Sequence, residues 1–570
     1  MTGVRKLEPT LANAPDLAEF RRRYPLTVAN FGALGTRETW LKSIWATDAR
    51  WQEALAEDGA REVVVRGAPP AGASVAGEFE IIYAGGATGL LHAAVMACRY
   101  HRRVLVFDAH EVGHVGCDWH TSDEELRELV RAGLCTKEEI EQAIVNRYEA
   151  GFVKFHDNAS RVKAPPLWLQ QVLDVALDAD KLLALAADKI RKQGTAGSVL
   201  LDGQSLVRAY VEPHRVTVEL QDARGRRSFY AARLFVDAAG ADSAVARQLN
   251  DEHAFTHVRP TVGAVARGFT RGVEPDKVDF QTGEILVSTE DASAHRQLLW
   301  EGFAGSPARD EYMTYLFFYD AIDSPADKSL LALFEHYFER LPAYKRAGAH
   351  WRVTRPLFGY VPGVQPVGRK QRTRTAGERV LLVGAAAGAA NPLALGNGAQ
   401  LRQLHRLTHL TDLALAADLL DARSLSELSA DAPRVAPLAS LAEFLRPAPK
   451  AAPATVNETL NAVMAALHEL DERVRRELFQ DRLSFQALKS LLSRTAQLYP
   501  RIFQRVREHL GARGTFWWLA AAAEAAFSER RARAPLAPTQ LAQPADEPPA
   551  EKFARFVALY KKGRDADDQV

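Results

Sequence analysis

Apolar and polar positions change their spacing several times along the chain. Residues 1 to about 70 read as polar and helical, with Trp40 and Trp51 near one helical face and Trp45 off it. Pro69 to Gly77 is a run of small residues that predicts a linker. The pattern then shifts. Phe79–Tyr83 is an apolar run of strand length, Leu90–Tyr100 has helical length without a breaker, and Val104–Phe107 is a second apolar run closed by Asp108. This order predicts a β-α-β unit. Residues 120–190 read as mostly helical, opened by Ser122-Asp-Glu-Glu125. That is a capping box: Ser122 covers free amides and Glu125 reaches back. Residues 198–236 alternate as strands, and 260–375 look mixed, with β-rich runs such as Met313–Tyr319. Arg379–Val383 predicts another buried strand, followed by a Gly/Ala loop and a helix from Asn397. Residues 410–530 read as almost wholly helical, broken at Pro447–Pro453. The Pro-rich run Ala534–Pro549 predicts disorder. There are no internal repeats.

Composition narrows the picture only a little. A chain of 570 residues is too long for one core and predicts two or three domains. A net charge of +1 gives no field that recruits nucleic acid, which is excluded as a partner. Cys98, Cys117 and Cys135 show no paired or zinc-type spacing, and no metal is expected. Reduced thiols and the absence of a signal-type N-terminus predict a cytoplasmic protein. The apolar run Phe516–Ala523 is too short to span a bilayer but not to touch one.

The β-α-β unit carries the chemistry. In Ala84-Gly85-Gly86-Ala87-Thr88-Gly89, Gly86 and Gly89 stand at the second and third glycine positions of G-x-G-x-x-G, and Ala84 stands at the first. Glycines there let backbone amides approach a pyrophosphate, and the helix that follows adds its positive end. Asp108 ends the next strand, where a carboxylate binds a ribose hydroxyl. Taken alone, such a turn is also compatible with a structural αβ turn. Two later segments return the chain to a dinucleotide. Val236-Asp237-Ala-Ala-Gly240-Ala-Asp-Ser243 resembles the second flavin motif of the glutathione-reductase-like superfamily. Gly384-Ala385-Ala-Ala-Gly388, with Asn391-Pro392 and Gly396-Asn-Gly398, resembles the third, in which Ala385 replaces the usual Asp.

The segments between these motifs narrow the resemblance. Gly116-Cys-Asp-Trp119-His120-Thr-Ser122 through Leu126, Arg259-Pro-Thr-Val-Gly263 through Phe269, and Ser288-Thr-Glu290-Asp291 are similar to elements of FAD-dependent lycopene cyclases of the CruA/CruP type. So are Leu299-Trp-Glu301-Gly-Phe303, Arg355-Pro-Leu-Phe-Gly359 and the helical region from about 455 to 525. The resemblance covers about residues 79 to 525. It implies an α/β fold: a Rossmann-type FAD/NAD(P)-binding domain, an inserted β-rich substrate domain and a helical C-terminal region. The expected segments are an N-terminal helical extension (1–70), the two parts of the FAD domain (75–255 and 376–425) and the substrate domain between them (256–375). A helical region (426–532) and a disordered tail (533–570) follow.

The resemblance also implies an activity, the redox-neutral closure of the linear ψ-ends of lycopene or a related carotene into β-rings. FAD would act in its reduced form, with NAD(P)H as reductant and a carotenoid or other prenyl lipid as substrate, met at a membrane surface. The implied cofactor contacts are Gly85, Gly86, Thr88, Gly89, Asp108, Asp237, Gly240, Gly384, Ala385, Pro392, Gly396 and Gly398. Two alternatives stay open: an FAD-dependent oxidoreductase on another prenyl lipid, and a flavin-binding paralogue without catalysis. Glu301 is the candidate acid, because apolar neighbours raise a carboxyl towards its protonated form, although a solvated carboxylate fits equally well. Glu290 and Asp291 form a second acidic pair, which also reads as a turn and helix cap. His110, His114 and His120 read as a polar loop beside the cofactor rather than a metal site. Tyr312, Tyr315, Phe317, Phe318 and Tyr319 read as core or as the lining of a polyene slot.

Overall fold

The computed structural model describes residues 14–56, 62–240, 243–250, 256–363, 374–387, 398–428, 442–448, 450–480, 482–533 and 547–562. The chain opens with α1 (Leu17–Arg23), α2 (Pro25–Asn30), α3 (Arg37–Ala56) and β1 (Val64–Arg66). Then come β2 (Val75–Ala84), α4 (Thr88–Cys98) and β3 (Val104–Phe107), the expected β-α-β unit. β3 is buried at every position, and so is the C-terminal end of β2. Continuous apolar runs of this kind suit parallel strands covered on both faces.

Residues 118–193 contain more strand than expected. β4 (Asp118–Thr121), α5 (Asp123–Arg131), α6 (Lys137–Ala143), β5 (Ile144–Arg147), β6 (Ala150–Lys154), β7 (Leu167–Leu169), β8 (Val175–Asp178) and α7 (Ala179–Gln193) follow one another. These strands are too short to show a local period. β6 pairs with a strand more than a hundred residues away, so its β character comes from that partner. The capping box forms as expected: Ser122 N donates to Glu125 Oε2 at 2.9 Å, and Glu125 N donates to Ser122 Oγ at 3.4 Å.

β9 (Val199–Leu201), β10 (Gln204–Val211), β11 (Val216–Asp222), β12 (Arg227–Asp237) and α8 (Ala244–Leu249) complete the first part of the dinucleotide domain. The second domain holds β13 (His257–Phe269), β14 (Thr282–Val287), β15 (Leu299–Ala304), β16 (Glu311–Phe317), β17 (Asp320–Ala321), α9 (Leu330–Tyr344) and β18 (Ala347–Gly363). The chain returns through β19 (Ala376–Gly377), β20 (Val380–Leu382), α10 (Gly398–Ala417) and α11 (Ala422–Ser426). α12 (Thr455–His468), α13 (Glu472–Phe479), α14 (Phe485–Leu498), α15 (Ile502–Arg533) and α16 (Pro549–Lys561) end it.

Among the described residues, one sheet runs β1-β10-β11-β12-β2-β3-β9, with β20 also on β12. A second runs β17-β13-β16-β15-β14-β6-β7, with β18 on β13. The fold is therefore α/β, a Rossmann-type domain joined to a β-rich domain and a helical C-terminal region. The N-terminal helices pack on the second domain: Trp51 stacks on Tyr360 at 4.7 Å, and Asp48 Oδ1 accepts from the Leu330 amide at 2.9 Å. The expected disordered tail contains a docked helix. α16 buries Phe553, Val557 and Tyr560, which recur at helical spacing, and Tyr560 lies 2.9 Å from His409 of α10.

Candidate functional site

The three motif segments meet at one edge of the Rossmann sheet. Ala84 at the end of β2 stands in register with Phe107 of β3 and Asp237 of β12, and Asp237 stands beside Leu382 of β20. Ala238 N donates to Ala84 O at 2.8 Å, and Val383 N donates to Asp237 O at 2.9 Å. These are carboxyl ends of parallel strands, where open α/β sheets place their ligands.

The turn after β2 is built tightly. Gly85 has φ +105°, and a Cβ there would overlap the Ala238 carbonyl. A Cβ on Gly86 would lie 2.9 Å from Val112 Cα, and one on Gly89 3.0 Å from Ala238 Cβ. α4 starts at Thr88, and Ala87 before it provides no side-chain cap, so the first amides of the helix have no capping carboxylate or hydroxyl. Asp108 sits at the mouth of the turn and accepts from Gly86 N at 2.7 Å and from His110 N at 2.8 Å. An uncapped helix start, a side-chain-free turn and a strand-end carboxylate fit the pyrophosphate and ribose of a dinucleotide. Thr88 Oγ1 donates to Gln400 Oε1 at 2.5 Å, which ties α4 to α10 across Gly384 (φ +61°).

Other expected contacts serve the loops themselves. The Asp237 carboxylate is buried, accepts from Ala239 N at 3.0 Å and holds Ser243, while Gly240 takes φ +106° in that turn. Ala385 is half-buried in a single 3-10 turn, Gly384–Ala387. Gly398 opens α10 directly against the Glu125 carboxylate, which pairs with Arg402. Pro392 and Gly396 lie outside the described residues.

Glu301 lies in the second domain, within β15. Its register partner is Tyr315 of β16, which is in turn paired with Gly263 of β13. The sheet's two-residue period sends Trp300 to the opposite face, where it stacks on Tyr344 of α9 at 4.5 Å. The expected enclosure of Glu301 between Trp300 and Phe303 is therefore half right. Phe303 shares the Glu301 face and stacks on His120 at 4.0 Å, while Trp300 does not. Glu301 is only 16% exposed, and Oε1 has no hydrogen-bond partner among the described residues. Its nearest cation is Arg259 at 3.9 Å. Burial pushes its carboxyl up to about 7, against the opposing pull of Arg259.

Residues not anticipated from the sequence complete this face. Cys117, Asp118, Glu301 and Arg355 all bear electrostatically on Tyr315. Burial, partly opposed by Arg355, raises the Asp118 carboxyl to about 6. The loop from Asp108 to Cys117 runs between the turn and this face: Gly113 N donates to Gly86 O at 3.0 Å, and Cys117 acts electrostatically on Tyr315. Glu290 and Asp291 are not brought to Glu301. Glu290 pairs with Arg340 of α9 at 2.5 Å, and Asp291 Oδ1 accepts from Asn457 of α12 at 2.8 Å. The histidines also separate. His114 pairs with Asp180 at 2.9 Å, His110 is exposed, and burial lowers His120 to about 3. No metal-type cluster occurs among the described residues.

The Glu301 shift has a stability consequence. The folded-state value lies above the ordinary 4.5, so the parent loses stability as pH rises from about 4.5 through about 7. Glu301→Gln removes that loss. Its stability relative to the parent should grow between pH 5 and pH 8 by up to ~3 kcal/mol, read by urea unfolding at both values. An unchanged difference would mean that Glu301 is as solvated as an ordinary glutamate.

With this geometry in place, the fold can be compared with known structures. Halogenase PltM, in complex with ethyl mercury and mercury, is 15% identical with a TM-score of 0.50, over 85% of this chain and 96% of that one. The chain has that fold. PltM in complex with phloroglucinol and FAD aligns over the same shares at 14% identity and TM-score 0.49. A geranylgeranyl bacteriochlorophyll reductase-like protein from Thermoplasma acidophilum is 15% identical over 76% of this chain and 99% of that one, with a TM-score of 0.48. No family model matches the chain, and no curated protein matches it significantly.

Proposed function

We propose that the protein binds FAD at the Gly85–Gly89 turn and cyclises the linear ends of a carotene by acid-initiated, redox-neutral isomerisation. The observation that carries this reading is Glu301: a desolvated carboxyl raised to about 7, whose Oε1 has no hydrogen-bond partner among the described residues, on an aromatic sheet face. The cofactor half is supported by the motif convergence and by the fold shared with PltM, a halogenase described in complex with FAD. Bound in its reduced, anionic form, with NAD(P)H as reductant, FAD would supply negative charge that stabilises a developing cation. Glu301 delivers a proton to the terminal double bond, the resulting carbocation closes the ring, and loss of a proton restores neutrality. Tyr315 and Phe303 keep water from the acid. Expression in lycopene-accumulating cells, with pigment analysis, tests the reading: β-ring carotenes are expected. Unchanged lycopene with FAD bound would leave a flavin-binding protein without this activity, and hydrogenated products would indicate a reductase.

The third motif offers a separate test. Ala385→Asp should tighten FAD binding by up to ~1–3 kcal/mol, through the hydrogen bond that the family makes to the ribityl chain. Titration of the apo-protein reads this directly, and weaker binding would show that the loop departs from the family geometry.

A carotene stays in lipid, so the reading includes contact with a membrane surface. No helix among the described residues is long and apolar enough to cross one. On α15, Phe516, Leu519 and Phe527 are exposed and recur at helical spacing, with exposed Arg513 and Arg530 near the two ends. Cosedimentation with anionic vesicles, weakened by salt and lost in Phe516→Ser/Leu519→Ser, is the expected outcome. Equal sedimentation of the double variant would remove α15 as the contact.

A further inference from the structure

A cavity of ≈ 100 Å³ lies between the second sheet and the C-terminal helices. Leu286 of β14 and Phe317 of β16 form one wall. Leu460 of α12, Phe479 of α13, Leu491 of α14 and Trp518 of α15 form the others. Among the described residues, no charged side chain lines it. Its two hydroxyls are spent on their own helices: Thr459 Oγ1 donates to Thr455 O at 2.9 Å and Thr495 Oγ1 to Leu491 O at 2.8 Å. Water there would lack the several polar partners that hold a buried water, so an apolar guest is favoured.

The position of the cavity is as telling as its lining. Phe317 carries the Arg259 guanidinium over its ring at 4.9 Å, and Arg259 lies 3.9 Å from Glu301. The inner wall therefore borders the Glu301 face. On the far side, Trp518 belongs to α15 between Phe516 and Leu519, which are 64% and 56% exposed. The cavity thus lies between an exposed apolar helix face and a desolvated acid.

We propose that this cavity binds one end of a linear hydrocarbon chain, an isoprenoid of several units, taken up beside Trp518 and extended past Phe317 towards Glu301. The direction towards Glu301 rests on the cyclase reading, whereas the binding site itself does not. Val463, on the cavity wall, gives the variant: Val463→Trp fills the space without touching the dinucleotide turn.

The test uses the full chain with FAD added, no reductant, and a photoreactive diazirine analogue of geranylgeraniol as probe. After irradiation, peptide mapping should place the crosslinks within residues 455–506 and around Trp518, and unlabelled geranylgeraniol should compete. Val463→Trp should cut labelling at least tenfold while flavin content and melting temperature stay at parental values. Crosslinks confined to other segments, or undiminished labelling of a folded Val463→Trp, would overturn the proposal. Mapping on the parent decides the matter even if the variant fails to fold. The two readings can fail separately. Labelling here without ring formation from lycopene sinks the cyclase reading and keeps the site. Ring formation at the parental rate by Val463→Trp sinks the site and keeps the cyclase.

Discussion

Glu301→Gln should stop ring formation while FAD stays bound. Protonating an isolated alkene needs an acid that is still protonated near neutral pH, close to the substrate and away from water. Glu301 meets the first condition, because burial raises its carboxyl to about 7. It meets the last through its low exposure and its position beside Tyr315 and Phe303. Glutamine keeps the shape but carries no transferable proton. General acid catalysis commonly contributes ~10²–10⁴ in rate, so pigment analysis should show a near-complete block. Rings formed at the parental rate by an FAD-loaded variant would move the acid to Asp118. That is the other carboxyl acting on Tyr315, and it is raised to about 6. Glu290 and Asp291 are weaker substitutes, since Arg340 and Asn457 already hold them.

Gly86→Val should abolish FAD binding. Even a single Cβ at this position would lie 2.9 Å from Val112 Cα and 3.3 Å from the Asp108 carboxylate, and a branched side chain would fill the approach to the turn. Backbone amides can then no longer reach a pyrophosphate. Flavin absorbance of the purified variant should fall to background and should not recover when FAD is added. Gly35→Ala is the control, because a Cβ there meets nothing within 4 Å. Full flavin content in a folded Gly86→Val would place the cofactor elsewhere.

The dinucleotide half of the site was readable because its information is local. β3 and the C-terminal end of β2 are buried, so the apolar runs Ile81–Ala84 and Val104–Phe107 are unbroken, and the glycines follow β2 directly. The chemical half was less readable. Glu301 stood out through Trp300 and Phe303, yet strand alternation assigns Trp300 to the α9 face. Tyr315, Arg259 and Arg355 come from separate strands that sheet register assembles, and Asp118 comes from a strand of another sheet. β6 and β7 were hidden for the same reason, since they complete a sheet whose other members begin at residue 257. The helix at Pro549–Lys561 was masked by the Pro-rich run before it, although Phe553, Val557 and Tyr560 already carried helical spacing.

The most direct test of the central claim is to run the reaction in D2O with purified, FAD-loaded protein, lycopene in vesicles and limiting NAD(P)H. Acid-initiated isomerisation takes one solvent hydrogen into each ring and returns another to solvent, with no reductant consumed per turnover. One deuterium per β-ring, with product far exceeding the NAD(P)H supplied, is the predicted result. Products gaining two hydrogens per event, with one NAD(P)H oxidised for each, would contradict it and identify a reductase.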